Sequence, residues 1–116
     1  MGESPSAPPA EDAPDATLGG YLEVHDRPPA FEGSDGQPYT VSIEIESVSN
    51  LLAPYVVYLV FPRWAETGLG IVGHVETPVL WEGTARDEVV SRAEKLPLGE
   101  VKRLLDEAIL DKTRPD

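Results

Sequence analysis

Hydrophobic and polar positions alternate most clearly in "YTVSIEIES", residues 39–47, where Val41, Ile43 and Ile45 interleave with Thr40, Ser42, Glu44 and Glu46. A side-chain period of two predicts a half-buried strand, apolar on one face and polar on the other, of the kind found in antiparallel sheets. "YVVYLVF", 55–61, is apolar at every position and predicts the central strand, with Pro62 ending it. "LGIVGHVETPVLWEG" resumes extended structure from Leu69, and Pro78 breaks or bends it. Ala65–Gly68 reads as a four-residue hairpin loop with Gly68 at a positive φ. Near the N-terminus "GGYLEVHD" alternates over a shorter span, with Leu22 and Val24 on one face and Tyr21, Glu23 and His25 on the other, and predicts a further strand. Between it and Tyr39, "RPPAFEGSDGQP" is turn chemistry throughout and reads as a loop.

The pattern then changes period. A helix is expected from Thr84, with Asp87 three residues on as a short form of the capping box. Its apolar stripe is Val89, Val90, Ala93 and Leu96; Pro97 interrupts it and Gly99 marks a second boundary. Val101, Leu104, Leu105, Ala108 and Ile109 recur at the spacing of an amphipathic helix. Strands first and helices last predict an α+β domain over 19–112: an antiparallel sheet of about four strands with two C-terminal helices packed on one face. Residues 1–18, rich in Pro, Ala, Ser, Glu and Asp, read as a disordered tail, and 113–116 as a short C-terminal one.

Composition narrows the chemistry. The 116 residues include no cysteine, which removes disulfides, zinc–thiolate sites and thiol nucleophiles. No stretch is apolar enough to span a membrane, and the first residues lack a signal-peptide pattern, so a cytoplasmic protein is expected. The net charge of −12 is unevenly placed: residues 19–83 carry nine acids against Arg27 and Arg63, whereas residues 84–116 carry eight acids and seven bases. An acidic sheet region repels nucleic acid and anionic lipid and favours a basic protein surface or a cation.

Two stretches gather candidate chemistry. In "GHVET" His74 and Glu76 lie two apart on one strand, and with His25 they form a candidate site for a divalent metal cofactor. The hairpin register bears on this: a four-residue loop sets Trp64 opposite Leu69, which places Leu59 beside His74 and Val57 beside Glu76. The second stretch, "HDRPPAFEGSDGQPY", brings Asp26, Arg27, Phe31, Glu32 and Asp35 onto one loop as candidate partner contacts. Ser34 lacks a nucleophile-elbow context, and "EGSDG" lacks the ligand spacing of a calcium loop. Glu44 and Glu46 on the sheet face, with Trp64 and Trp81 as anchors, complete the candidate interface. A non-enzymatic module that binds a protein partner is the leading expectation; a metal-dependent hydrolytic protein and a homo-oligomer are the alternatives.

The order "YTVSIEIE", "YVVYLVF", a third extended stretch and then "GTARDEVVSRAEK" opening a helix resembles the HicB-type antitoxins. The resemblance implies a strand-strand-strand-helix core in an acidic protein that neutralises a basic toxin partner. It covers about half the chain, around Gly83, Thr84 and Glu88. The long segment 62–82, the N-terminal extension and the lack of a DNA-binding element depart from it, so no family is assigned on that ground.

Overall fold

The structure is a computed structural model that describes residues 13–113. Most of the tail expected over 1–18, and all but Thr113 of the one expected over 113–116, lies outside those residues. The described chain has the order α1 (Leu18–His25), β1 (Ala30–Glu32), β2 (Pro38–Thr40), β3 (Ser42–Ser47), β4 (Tyr55–Trp64), β5 (Ile71–Glu76), β6 (Trp81–Gly83), α2 (Arg86–Glu94) and α3 (Leu98–Thr113). It is an α+β fold around one antiparallel sheet of six strands. No described helix is long and apolar enough to cross a membrane.

Strand β4 organises the sheet, as its all-apolar sequence predicts. Arg63 lies between Tyr39 and Gly73, Val60 between Ser42 and Glu76, and Val57 between Ile45 and Trp81. A strand residue has one neighbour on each edge, so β2 and β3 share one edge of β4 while β5 and β6 share the other. With β1 beyond β2, the six strands fill four rows. β2 and β3 are parts of the single strand predicted over 39–47, interrupted at Val41. That interruption falls opposite Phe61, next to Pro62, which has no N–H to donate yet continues β4 instead of ending it. On the other edge the break after Glu76 is stitched by Thr77, the one buried polar residue among those described. Its hydroxyl donates to the Pro78 carbonyl (2.7 Å) and accepts from the Leu59 N–H (3.1 Å).

Residues 18–25 are a helix, contrary to the strand expected there. The Thr17 hydroxyl accepts from the Gly20 N–H at 3.1 Å and caps the first turn. Leu18 is 1% exposed, and Leu22, one turn on, packs against the same core, while Val24 is 53% exposed. The burying pair is thus spaced by four, a helical period, and a tail boundary drawn at 18 splits it. Ala13–Thr17 is ordered rather than a loose tail: the Ala16 carbonyl accepts from Leu98 and Thr17 bridges to Pro97. The presumed loop 27–38 also carries structure. β1 and β2 form a hairpin in which Gly33 N–H donates to the Gln37 carbonyl and Gly36 takes φ 78°.

The two C-terminal helices are present, with adjusted starts. α2 begins at Arg86, and Glu88, not Asp87, reaches back to accept from the Thr84 N–H and hydroxyl. α3 starts directly after Pro97 and runs through Gly99, which marks no boundary. Val101, Leu104, Leu105, Ala108 and Ile109 are all buried. They join Leu18, Tyr39, Val41, Leu59, Phe61 and Val75 in the larger core, while Val57, Val89 and Ala93 form a smaller one under α2.

The placement of α1 makes a prediction for stability. Leu18→Ala removes a fully buried side chain and is expected to cost about 2–4 kcal/mol in urea unfolding. Leu51→Ala, at a residue 96% exposed, is expected to change stability by less than about 0.5 kcal/mol. Equal stabilities for the two variants would mean that α1 does not belong to the cooperative fold.

Candidate partner-binding face

The period of two sends odd-numbered residues of β3 and β4 toward the helices: Ile43, Ile45, Val57, Leu59 and Phe61 all belong to or pack on the cores. Even-numbered residues therefore share the opposite, helix-free face. Across it, Ser42, Val60 and Glu76 lie in one line, Glu44 sits beside Tyr58, and Val56 separates Glu46 from Glu82. The centre strand contributes Tyr58, Val60 and Pro62, each partly exposed, in line with Val56, which is buried, and the strands on either side line this row with carboxylates. None of these positions is Lys or Arg.

Tyr58 reports the field on this face. Its hydroxyl donates to Glu46 Oε2 at 2.7 Å. That hydrogen bond, then partial burial, then the charges of Glu46, Glu76 and Glu44 push its pKa up to about 12. Carboxylates from both edges of β4 thus act on one phenol. Ser42 Oγ donates to Glu44 Oε2 at 2.6 Å, and His74 Nε2 approaches Glu76 Oε1 at 3.6 Å. At one end Trp64 donates its indole N–H to Thr40 Oγ1 at 3.0 Å, which fixes that half-buried ring to the neighbouring strand.

The hairpin register differs from the one expected. Trp64 pairs with Ile71 after an irregularity between Arg63 and Trp64, so the loop is longer than four residues. Ala65 carbonyl accepts from Gly68, whose φ is 77° as predicted, and Ala65 N–H donates to Gly70. His74 consequently lies opposite Pro62 and Glu76 opposite Val60, not Leu59 and Val57. The parity change moves both side chains from the core side to the open face, where each is more than half exposed.

His25 is elsewhere. It lies on α1, bonded to Asp15 Oδ2 at 3.1 Å with its ring 4.1 Å from that of Tyr21. Among the described residues no group of three His, Asp or Glu side chains could hold a metal ion, so His25, His74 and Glu76 do not come together.

The loop candidates are mostly engaged within the fold. Asp26 ends α1 in the left-handed region at φ 54°, its N–H on the Leu22 carbonyl. Arg27 stands 6.0 Å over the Tyr21 ring, and Phe31 packs on the larger core. Glu32 is exposed on β1 opposite Pro38. Asp35 accepts from the Gln37 N–H (3.0 Å) and the Tyr39 hydroxyl (2.8 Å). Burial and the Asp35 carboxylate raise Tyr39 to about 12. Ser34 N–H donates to Asp106 Oδ1 at 2.9 Å, tying this turn to α3. Trp81 is half-buried against the small core rather than offered as an anchor.

Glu44, Glu46, Trp64, His74 and Glu76 are therefore the predicted residues that the fold sets on this face, and Val56, Tyr58, Val60 and Glu82 are the ones sequence reasoning missed. A hydroxyl-bearing Tyr58 inside an apolar run was the available signal that one face of β4 is open. No protein-family model, curated protein or solved structure matches this chain. No residue role is carried over from the HicB-type arrangement.

The tyrosines give a direct measurement. Absorbance titration is expected to show Tyr39 and Tyr58 ionising near pH 12, and Glu46→Ala is expected to move the Tyr58 component toward 10.0. Both phenols are held neutral by the fold. The stability they contribute is present below the ordinary tyrosine value of 10.0 and is lost as pH rises through about 12. An unchanged titration in Glu46→Ala would separate Tyr58 from this carboxylate.

Proposed function

We propose that this chain is a cytoplasmic, non-enzymatic binding module that engages a basic protein partner on the open face of its sheet. The observation that carries the reading is the row Val56, Tyr58, Val60 and Pro62 flanked on both edges by carboxylates, with no Lys or Arg on the face. The partly exposed Tyr58, Val60 and Pro62 supply area to be desolvated, and the surrounding charge supplies orientation and rejects acidic competitors. A phosphate backbone or an anionic bilayer meets the wrong sign here. A partner surface with Lys and Arg around an apolar patch meets the right one. Such an interface forms quickly at low salt and weakens as salt screens it.

The test compares the wild-type chain with Glu46→Lys/Glu76→Lys as baits in native extract at physiological ionic strength, with quantitative mass spectrometry. The expected result is a partner rich in Lys and Arg, retained by wild type and reduced about tenfold or more by the double variant, as loss of 1.4 kcal/mol or more requires. Both substitutions are on exposed positions, so unchanged thermal unfolding checks that the fold is kept. Equal retention by the two baits, or no partner specific to wild type, overturns the reading.

A further inference from the structure

The sheet has two outer edges alongside β4's neighbours, and they are treated differently. On the β5 side Lys112 of α3 donates its ammonium to the His74 carbonyl at 2.7 Å, occupying an outward main-chain acceptor. On the other side β1 extends only over Ala30–Glu32 and pairs with β2, so β3 has β4 as its sole strand partner among the described residues. Its six residues contain no proline and no lysine, and the charges it carries are Glu44 and Glu46. Ile43 and Ile45 reach the cores but stay only partly buried, because no further strand lies beyond them.

We propose that the basic partner enters as an added strand on the free edge of β3, through an extended segment that alternates Lys or Arg with aliphatic residues. This rests on the reading of the open face as the partner's surface and specifies how the partner reaches it. A strand added beside β3 continues both of its faces. On the open face its basic side chains stand next to Glu44 and Glu46; on the other its aliphatic side chains complete the burial of Ile43 and Ile45. The pairing supplies cross-strand neighbours of opposite charge. A second copy of this chain fits poorly, because β3 against β3 sets glutamate rows beside one another, and like charges across a strand pair are destabilising. The carboxylates therefore leave the edge open to a basic strand while protecting it from self-association.

The probe is an acetylated, amidated peptide alternating Lys and Val over six residues, the length of β3, in unmodified form and with its backbone N-methylated at alternate residues. Binding is followed by amide NMR and hydrogen exchange on the full chain. The expected result is saturable binding with slowed exchange at the β3 amides 42–47, loss of binding on N-methylation of the register that faces β3, and weakening of about tenfold or more in Glu44→Lys/Glu46→Lys. If both N-methylated registers bind as well as the unmodified peptide, with shifts centred on Tyr58 and Glu76 instead of β3, strand addition is overturned while recognition on the face survives. If the unmodified peptide does not bind, strand addition is likewise overturned, and the extract comparison with Glu46→Lys/Glu76→Lys decides the broader reading by itself.

Discussion

Everything else in this structure depends on β4 being paired along both edges while only one of its faces is covered. Its odd-numbered residues supply Val57 to the small core and Leu59 and Phe61 to the large one. Its even-numbered residues supply the apolar row of the open face. Because side chains alternate with a period of two, one choice of register fixes the core and the candidate site together. A slip of one residue would drive Glu44 and Glu46 toward the helices, where an unpaired carboxylate costs far more than a lost contact. Thr77 reinforces the choice at the weakest point, where β5 gives way to β6, by accepting the Leu59 N–H in a place otherwise lacking a regular ladder.

The sequence revealed the parts of this arrangement that rest on local period and concealed those that rest on distant contacts. Val41, Ile43 and Ile45 alternate over a long enough run that the face of β3 was legible, and the spacing from Val101 to Ile109 marked the buried stripe of α3. α1 was not legible as a helix. Its eight residues include two glycines, its alternation mimics a strand, and the contact that decides the matter, Leu18 N–H to the Leu96 carbonyl at 2.8 Å, joins segments far apart in sequence. The register of His74 failed for a related reason. Turn residues alone suggest a four-residue loop, whereas the irregularity at Arg63 and Trp64 and the passage of the strand through Pro62 reflect pairing with Gly73 and Ile71. Phe31 shows the same limit, since a proline- and glycine-rich segment became a hairpin by docking on α3.

Charge placement separates acids that face bases from acids that do not. On α3, Arg103 binds Glu100 and Glu107, and Lys102 meets Asp106 at 2.5 Å. The Arg103 guanidinium holds the Glu100 carboxyl below its usual value. Pairs this exposed contribute little stability, but they cancel the field locally. On the sheet face the counterparts are hydroxyls and an imidazole: Ser42 for Glu44, Tyr58 for Glu46 and His74 for Glu76. The hydroxyls of Ser42 and Tyr58 orient Glu44 and Glu46 without neutralising them. The fold thus sets Glu44, Glu46, Glu76 and Glu82 on one sheet face whose strand positions include no Lys or Arg.

That concentration also explains why an apolar row can be left on an uncovered sheet. Val60 and Pro62 on an uncharged face, with the edge of β3 free, would invite a second copy to stack or to pair. Rows of glutamate on either side make each copy repel the next, while leaving the main-chain donors and acceptors of β3 unobstructed. Repulsion among like charges is itself unfavourable to folding. A cationic side chain brought among them relieves that repulsion, an energy gain that an acidic or neutral competitor does not obtain. Under the proposed function, selectivity on this face comes from the unfavourable charge arrangement of the free protein as much as from any contact in the complex.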